Sequence, residues 1–390
     1  MMRVERKTGF ASRNVILLGV VSFLNDLSSE MILPILPMFI SSLGGTGLAV
    51  GIIGGLRDSI SSILKVFSGY LSDRTGRRKI FVFSGYMTSS VFKLLLAFSR
   101  TWQHILLFSS LERVGKGLRT APRDAIIADS MPREKGKGFG IHRSLDTLGA
   151  IIGSILTFSL FWILNMDFRS IILVSSAFAF LSLLPLYPVK EARVGVKRYL
   201  DLKVSLKDLP VDLKYFILIS STFALSNFSY MFLILKTQEI LTGRFSIAIP
   251  ILLYVFFNVF YAFFSVPFGV LSDRIGRKRV LMLGYTLFSL ICMGFVSFKS
   301  LTSFTLLFAL YGIFHAIIDG NQRAYVSDLS PREIRATALG TFHTATGLSA
   351  LPSNLIAGIL WQINTDLTFI YGAAVSIFSV ILFAKLVKTR

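Results

Sequence analysis

Apolar stretches of about twenty residues recur along the whole chain, separated by short polar intervals that are mostly basic. Twelve can be drawn. In the first half they run over 15–40, 48–71, 80–98, 105–125, 139–164 and 171–187. In the second they run over 215–236, 247–271, 280–297, 304–326, 336–361 and 367–387. Each is long enough to cross a hydrocarbon layer about 30 Å thick as a helix. A membrane barrel would show short alternating segments instead. The expected architecture is therefore an all-α membrane protein with twelve transmembrane helices. The basic N-terminus could be read as a secretion signal. Asn25, Asp26 and Glu30 interrupt the apolar run, however, and no small-x-small cleavage site follows, so this stretch is expected to remain as the first helix.

Composition agrees. The chain is 53% hydrophobic with 36 Phe and only 16% charged, and its mean hydropathy is +0.67. These values exclude an ordinary cytosolic enzyme and a disordered chain. The net charge of +20 would suit nucleic acid, but its placement does not. Twenty-seven Lys and Arg lie in the termini and intervals of one side, four on the other, and ten inside the stretches. The positive-inside rule then puts both termini in the cytoplasm of a multi-pass protein of the cell membrane, with anionic headgroups and not nucleic acid beside the charges. Cys292 stands alone, and His104, His142, His315 and His343 are scattered, so neither a metal site nor a cofactor is expected. No P-loop occurs to bind ATP.

The chain repeats at an offset of about 200 residues. Gly69-Tyr-Leu-Ser-Asp73-Arg74-Thr-Gly76-Arg77-Arg78 returns as Gly269-Val-Leu-Ser-Asp273-Arg274-Ile-Gly276-Arg277-Lys278. Asp129-Ser-Met-Pro132-Arg133-Glu134 returns as Asp328-Leu-Ser-Pro331-Arg332-Glu333. Two six-helix halves, 1–187 and 213–390, are thus expected around a cytoplasmic linker at 188–212, which could be an interfacial helix or a loop. Gly69 and Gly269 would permit close helix approach. Asp73 and Asp273 would sit at a helix end, facing a helix N-terminus or an arginine. Gly76 and Gly276 would permit a tight turn.

The decapeptide resembles the signature between helices 2 and 3 of the major facilitator superfamily, and the resemblance covers the whole chain. Leu111-Glu-Arg113-Val-Gly-Lys116-Gly is similar to that family's fourth-helix motif, with Lys116 where a glutamine is usual. Gly149-Ala-Ile-Ile-Gly153 is similar to its antiporter motif, with Ser154 where a proline is expected. The strings at 25–34 and 115–124 resemble a prokaryotic branch of unassigned substrate. The resemblance implies two pseudo-symmetric six-helix bundles, alternating access, and a cavity lined by helices 1, 4, 7 and 10. The decapeptides (Gly69, Asp73, Arg74, Gly76, Arg77; Gly269, Asp273, Arg274, Gly276, Arg277) would form the conformational gate.

Charge inside hydrocarbon costs at least ~2.5 kcal/mol, so it should face protein or water. Asp26 and Glu30 share one face of helix 1, as proton carriers, cation anchors or partners of an arginine. Arg113 and Lys116 on helix 4 could form a basic wall for an anion or control a carboxylate's proton. Arg119 and Arg123 fit structural pairing or a gate. Arg57 and Asp58 are adjacent and must point differently. In the second half the candidates are Asn227, Tyr230, His315 and Asp319, the last two on one face as a second protonation site or a satisfied buried pair. Lys93 is the one charge within helices 3, 6 and 9. The expected protein is a monomeric secondary transporter, proton-coupled, for a small organic anion or amphiphile. The alternative is a proton-coupled exporter of lipophilic cations. A receptor or a membrane enzyme would need a partner domain or a clustered catalytic set, and the sequence shows neither.

Overall fold

The computed structural model describes residues 2–131, 135–191, 209–331 and 334–387. Its helices are α1 (Met2–Ile32), α2 (Leu36–Ser42), α3 (Gly47–Thr75), α4 (Arg78–Ala97), α5 (Trp102–Ser130), α6 (Lys135–Trp162) and α7 (Phe168–Leu181). They continue as α8 (Val211–Ser226), α9 (Met231–Gln238), α10 (Phe245–Ile275), α11 (Arg277–Ser297), α12 (Leu301–Leu329), α13 (Arg335–Ile363) and α14 (Thr365–Leu386). No strand occurs among the described residues. Among the described residues, ten helical segments have the length and hydropathy to cross a membrane, the one over 211–238 taking in both α8 and α9. α5 and α13 fall outside those ten, yet each runs for 29 residues, about 43 Å at 1.5 Å per residue. Large apolar side chains stay exposed along the helices, Phe263 at 72% and Val266 at 73% among them, as lipid-facing positions require. Most of the 188–212 linker, and with it the choice between helix and loop, lies outside the described residues.

Two of the expected continuous helices are interrupted. The first breaks at Leu33–Ile35, between α1 and α2. Pro34 has no N–H to donate and disfavours helical backbone at Leu33. The seventh breaks between α8 and α9, at Asn227 to Tyr230, with no proline present. Here the freed groups find partners on other helices. Ser229 N–H donates to Asn354 Oδ1 at 2.8 Å, and Tyr371 donates to the Leu225 carbonyl at 2.8 Å. Such breaks persist in a membrane only when the backbone is satisfied in this way. The Asn-Phe-Ser triplet, uninformative as a glycosylation signal, marks the break, because Asn and Ser compete for backbone hydrogen bonds. The sixth helix ends early, at Leu181, ahead of a 3₁₀ turn over Leu184–Leu186 that contains Pro185. At its other end Asp167 caps α7 by accepting the Ser170 N–H, and the Ser170 side chain, helped by that N–H, holds this carboxyl below its ordinary range.

The chain forms two compact units, one of 1–36 with 60–200 and one of 37–59 with 201–390. In the first, α1 packs on α6 and α7, and α4 on α5 and α7. The α1–α6 crossing is set by Gly149 and Gly153. A Cβ at these positions would lie 2.4 Å from the Phe23 carbonyl oxygen and 2.3 Å from that of Leu27. Thr157 on the same face donates to the Met31 carbonyl at 2.9 Å. This contact brings the polar start of α6 against the middle of α1. In the second unit α10 packs on α12, α11 on α12 and α14, and α8 on α13 and α14. Its core is aromatic: Phe223 stacks on Tyr285 with centroids 3.8 Å apart, and Phe288 and Phe314 close over it.

Candidate functional site

In the first unit several charged side chains of α5 and α6 gather around Asp26 of α1. The carboxyl groups of Asp26 and of Asp146 on α6 lie close enough to share a proton, and Asp26 is within electrostatic reach of Lys116 and Arg119 of α5. Asn25 Nδ2 donates to Asp26 at 3.2 Å, and Ser22 Oγ donates to Asp146 at 2.7 Å. Arg143 pairs with Asp146 at 3.1 Å. Arg123 binds Asp124 through Nε (3.0 Å) and Nη2 (2.9 Å) and reaches Ser22 Oγ with Nη1 at 3.3 Å. Arg113 contacts Glu112 at 3.4 Å. Arg119 is buried, lies 4.4 Å above the Tyr86 ring and donates to Ser89 at 2.6 Å. These contacts tie α5 to α4. Glu30 is half-buried one turn beyond Asp26.

Asp146 and Lys93 complete this cluster, and neither stood among the sequence candidates for coupling or binding. Lys93 is 1% exposed. Its ammonium donates to the Asn25 carbonyl (3.2 Å), Ser28 Oγ (3.0 Å) and Ser29 Oγ (2.9 Å), so all three N–H bonds end on the stretch of α1 that carries Asp26. The signal was present in the sequence as a lone charge in an otherwise apolar helix. The partnership of Asp146 with Asp26 spans 120 positions and has no local signature.

The repeated motifs meet in space within each unit. In the first, Arg78 bridges Asp73 (Nη2 at 2.7 Å, Nε at 3.1 Å) and Asp129. In the second, Arg277 bridges Asp273 (3.0 Å) and Asp328. The aspartates of the second sequence echo are thus the partners of the first. The first-half arginine in this role is Arg78, the neighbour of the expected Arg77, which sits at the residue before α4 and makes no side-chain bond to that helix end. Arg74 and Arg274 lie in the last turns of α3 and α10. Gly76 (φ +66°) and Gly276 (φ +95°) make the turns. The two other glycines differ. A Cβ on Gly69 would lie 3.2 Å from Ala121, whereas nothing lies within 4 Å of one on Gly269. Close approach therefore explains Gly69 and not Gly269, whose neighbours leave room for a side chain. The N–H groups of Arg78 and Lys79 at the start of α4 donate to the Glu191 carboxylate, an anion where the helix end favours one.

In the second unit His315 Nδ1 lies 3.7 Å from Asp319 Oδ1, and Tyr261 donates to the other Asp319 oxygen at 2.8 Å. Phe257, Tyr311 and Phe314 enclose the imidazole, with centroids 5.4, 4.7 and 5.0 Å away. Asp58, Tyr230 and Asp319 all lie within electrostatic reach of Tyr311. Tyr230 also packs on Tyr254 at 5.1 Å, and Asn227 forms the C-terminal cap of α8 at the helix break. Arg57 is buried and Asp58 exposed, as adjacency on a helix dictates. The aromatic residues of this box were not singled out in the sequence, because Phe and Tyr abound throughout the second half.

Comparison with known proteins follows the same lines. The sequence profile of the Major Facilitator Superfamily matches residues 18–249 and again 215–390. The chain is 56% identical over 371 residues to the uncharacterized MFS-type transporter MJ1317 of Methanocaldococcus jannaschii, covering 94% of this chain and 93% of that one. It is 33% identical over 132 residues to the multidrug resistance protein MdtH of Shigella dysenteriae, about a third of each chain (34% and 32%). The crystal structure of the nucleoside transporter NupG superposes with a TM-score of 0.81 at 13% identity, covering 97% of this chain and 100% of that one, which establishes the shared fold. Profile, relative and fold agree: this chain is a multi-pass membrane transporter that belongs to the Major Facilitator Superfamily.

Proposed function

We propose that the chain is a proton-coupled secondary active transporter that moves a small organic anion or amphiphile by alternating access. The observation that carries this reading is the Asp26–Asp146 contact. Two carboxyl groups in hydrogen-bond contact hold one proton between them. Lys116, Arg119 and Arg123 stand ready to balance the charge when that proton leaves. Gain and loss of one proton then changes the net charge of a buried site, which is the requirement for harnessing a gradient. Asp26 carries the proton and Glu30 is the second acid of the face. Arg113 and Lys116 tune the pair or hold the anion. Arg57, Asp58, Asn227 and Tyr230 contact solute, and His315 with Asp319 forms a second protonation site. The two Asp–Arg–Asp bridges and their glycine turns act as the conformational gate. The halves are 1–187 and 213–390 joined by 188–212. The protein works as a monomer in the plasma membrane with both termini in the cytoplasm, the side that carries most of its Lys and Arg.

A second reading, export of lipophilic cations, draws on the partial similarity to MdtH and on the aromatic box around His315 and Asp319, since aromatic faces attract organic cations. Two experiments separate these. Purified protein is screened by thermal shift against a panel of organic anions and against ethidium and tetraphenylphosphonium. Stabilisation by anions is expected, and stabilisation by the cations alone overturns the anion assignment. The stabilising compound is then followed into proteoliposomes under a pH gradient. Asp26→Asn is expected to abolish gradient-driven movement, and undiminished coupling in that variant refutes the role of Asp26.

A further inference from the structure

His142 has no part in the scheme above. It lies on α6 one turn before Asp146, with a Cβ separation of about 5–6 Å for residues four apart. It is 5% exposed, and its Nε2 is buried with no hydrogen-bond partner among the described residues. A buried polar atom without a partner calls for a reason, because leaving it unsatisfied costs about 1–3 kcal/mol. The charged groups facing the ring are Arg123 and Asp124 from α5 and Arg143 and Asp146 from its own helix. The ring therefore stands between the carboxyl pair and the end of the unit where α6 begins. It is about 10 Å along the helix from Lys135, and Asp146 is about 16 Å from it. The C-terminal end of α5 lies at that same end, tied to the start of α4 by the Arg78–Asp129 bridge.

We propose that His142 relays protons between Asp146 and the aqueous side that carries the Gly76 turn. The proposal rests on the proton-coupling reading of the Asp26–Asp146 pair. In the relay, one ring nitrogen accepts a proton as the other releases one. The ring starts and ends neutral, as the opposite tautomer, and a ring flip resets it. Asp146 gains the proton that the aqueous side lost, and the reverse passage runs through the same atoms.

The test needs no solute. Full-length protein in lipid nanodiscs is subjected to a rapid pH jump, and the carboxylic-acid C=O stretch of the pair is followed by infrared difference spectroscopy. The band is assigned by its loss in Asp26→Asn. In His142→Gln and His142→Phe the equilibrium amplitude is expected to stay unchanged while the rate falls by about 10²-fold, the scale of a lost proton-transfer group. Imidazole in the buffer is expected to restore part of the rate in His142→Ala. An unchanged rate in the Gln and Phe variants, with the band still dependent on Asp26, overturns the relay and leaves the pair standing. A band that persists in Asp26→Asn removes both. The wild-type protein supplies a measurement independent of variant folding. Nitrogen-15 spectra of the His142 ring are expected to show both tautomers in exchange, and a single locked tautomer overturns the relay.

Discussion

Lys93 and Asp26 show how much one side chain can decide. The Lys93 ammonium is buried against neutral oxygens of α1, and it holds the backbone on either side of Asp26. Replacing it with Met keeps the volume but strips a donor from the Asn25 carbonyl, from the buried Ser28 hydroxyl and from the half-buried Ser29 hydroxyl. Lys93→Met is expected to destabilise the protein by about 1–3 kcal/mol, seen as a lower midpoint of thermal unfolding in detergent. An unchanged or raised midpoint would mean that the burial cost of the charge outweighs its hydrogen bonds. The sequence made both residues visible as charges in apolar surroundings. It did not reveal that Asp26 meets Asp146, since local periodicity carries no information about which helices become neighbours.

At the scale of elements, helix crossings and helix breaks position the site. The α1–α6 crossing brings Asp146 to Asp26, and it depends on two missing side chains. Gly149→Val would place carbon 2.4 Å from the Phe23 carbonyl oxygen, a backbone atom that cannot swing away. A loss of about 1–3 kcal/mol is expected. Gly140→Ala on the same helix, where nothing lies within 4 Å, is expected to be neutral or to gain about 0.5–1 kcal/mol. Equal melting shifts for the two would contradict the packing argument. The turn glycines give a second pair. Gly276 (φ +95°, ψ +135°) occupies a region that only glycine enters readily, whereas the φ of Gly76 (+66°) is one that other residues also reach in left-handed turns. Gly276→Ala is therefore expected to lower the melting midpoint more than Gly76→Ala, and the reverse order would contradict the assignment. These turns were legible from sequence. The break at Asn227 was not, because the partner that makes it tolerable, Asn354, is 127 positions away.

At the scale of the whole molecule, the sequence repeat did more than suggest two halves. Its two echoes, some 50 residues apart in each half, are the two ends of one Asp–Arg–Asp bridge, formed once in each unit. The apolar periodicity and the paired motifs made the fold readable. The aromatic enclosure of His315 was hidden by the abundance of Phe and Tyr on lipid-facing and core positions alike. The central claim is that the charged residues of α1 and α5 are tolerated because they border water. Single cysteines at positions 26 and 113, in a Cys292→Ser background, can be challenged with membrane-impermeant thiol reagents from each side of the bilayer, with a cysteine at the exposed apolar position Phe263 as the lipid-facing control. Modification at 26 and 113 from at least one side, with position 263 inert, is the expected result; positions 26 and 113 sealed from both sides would contradict the account.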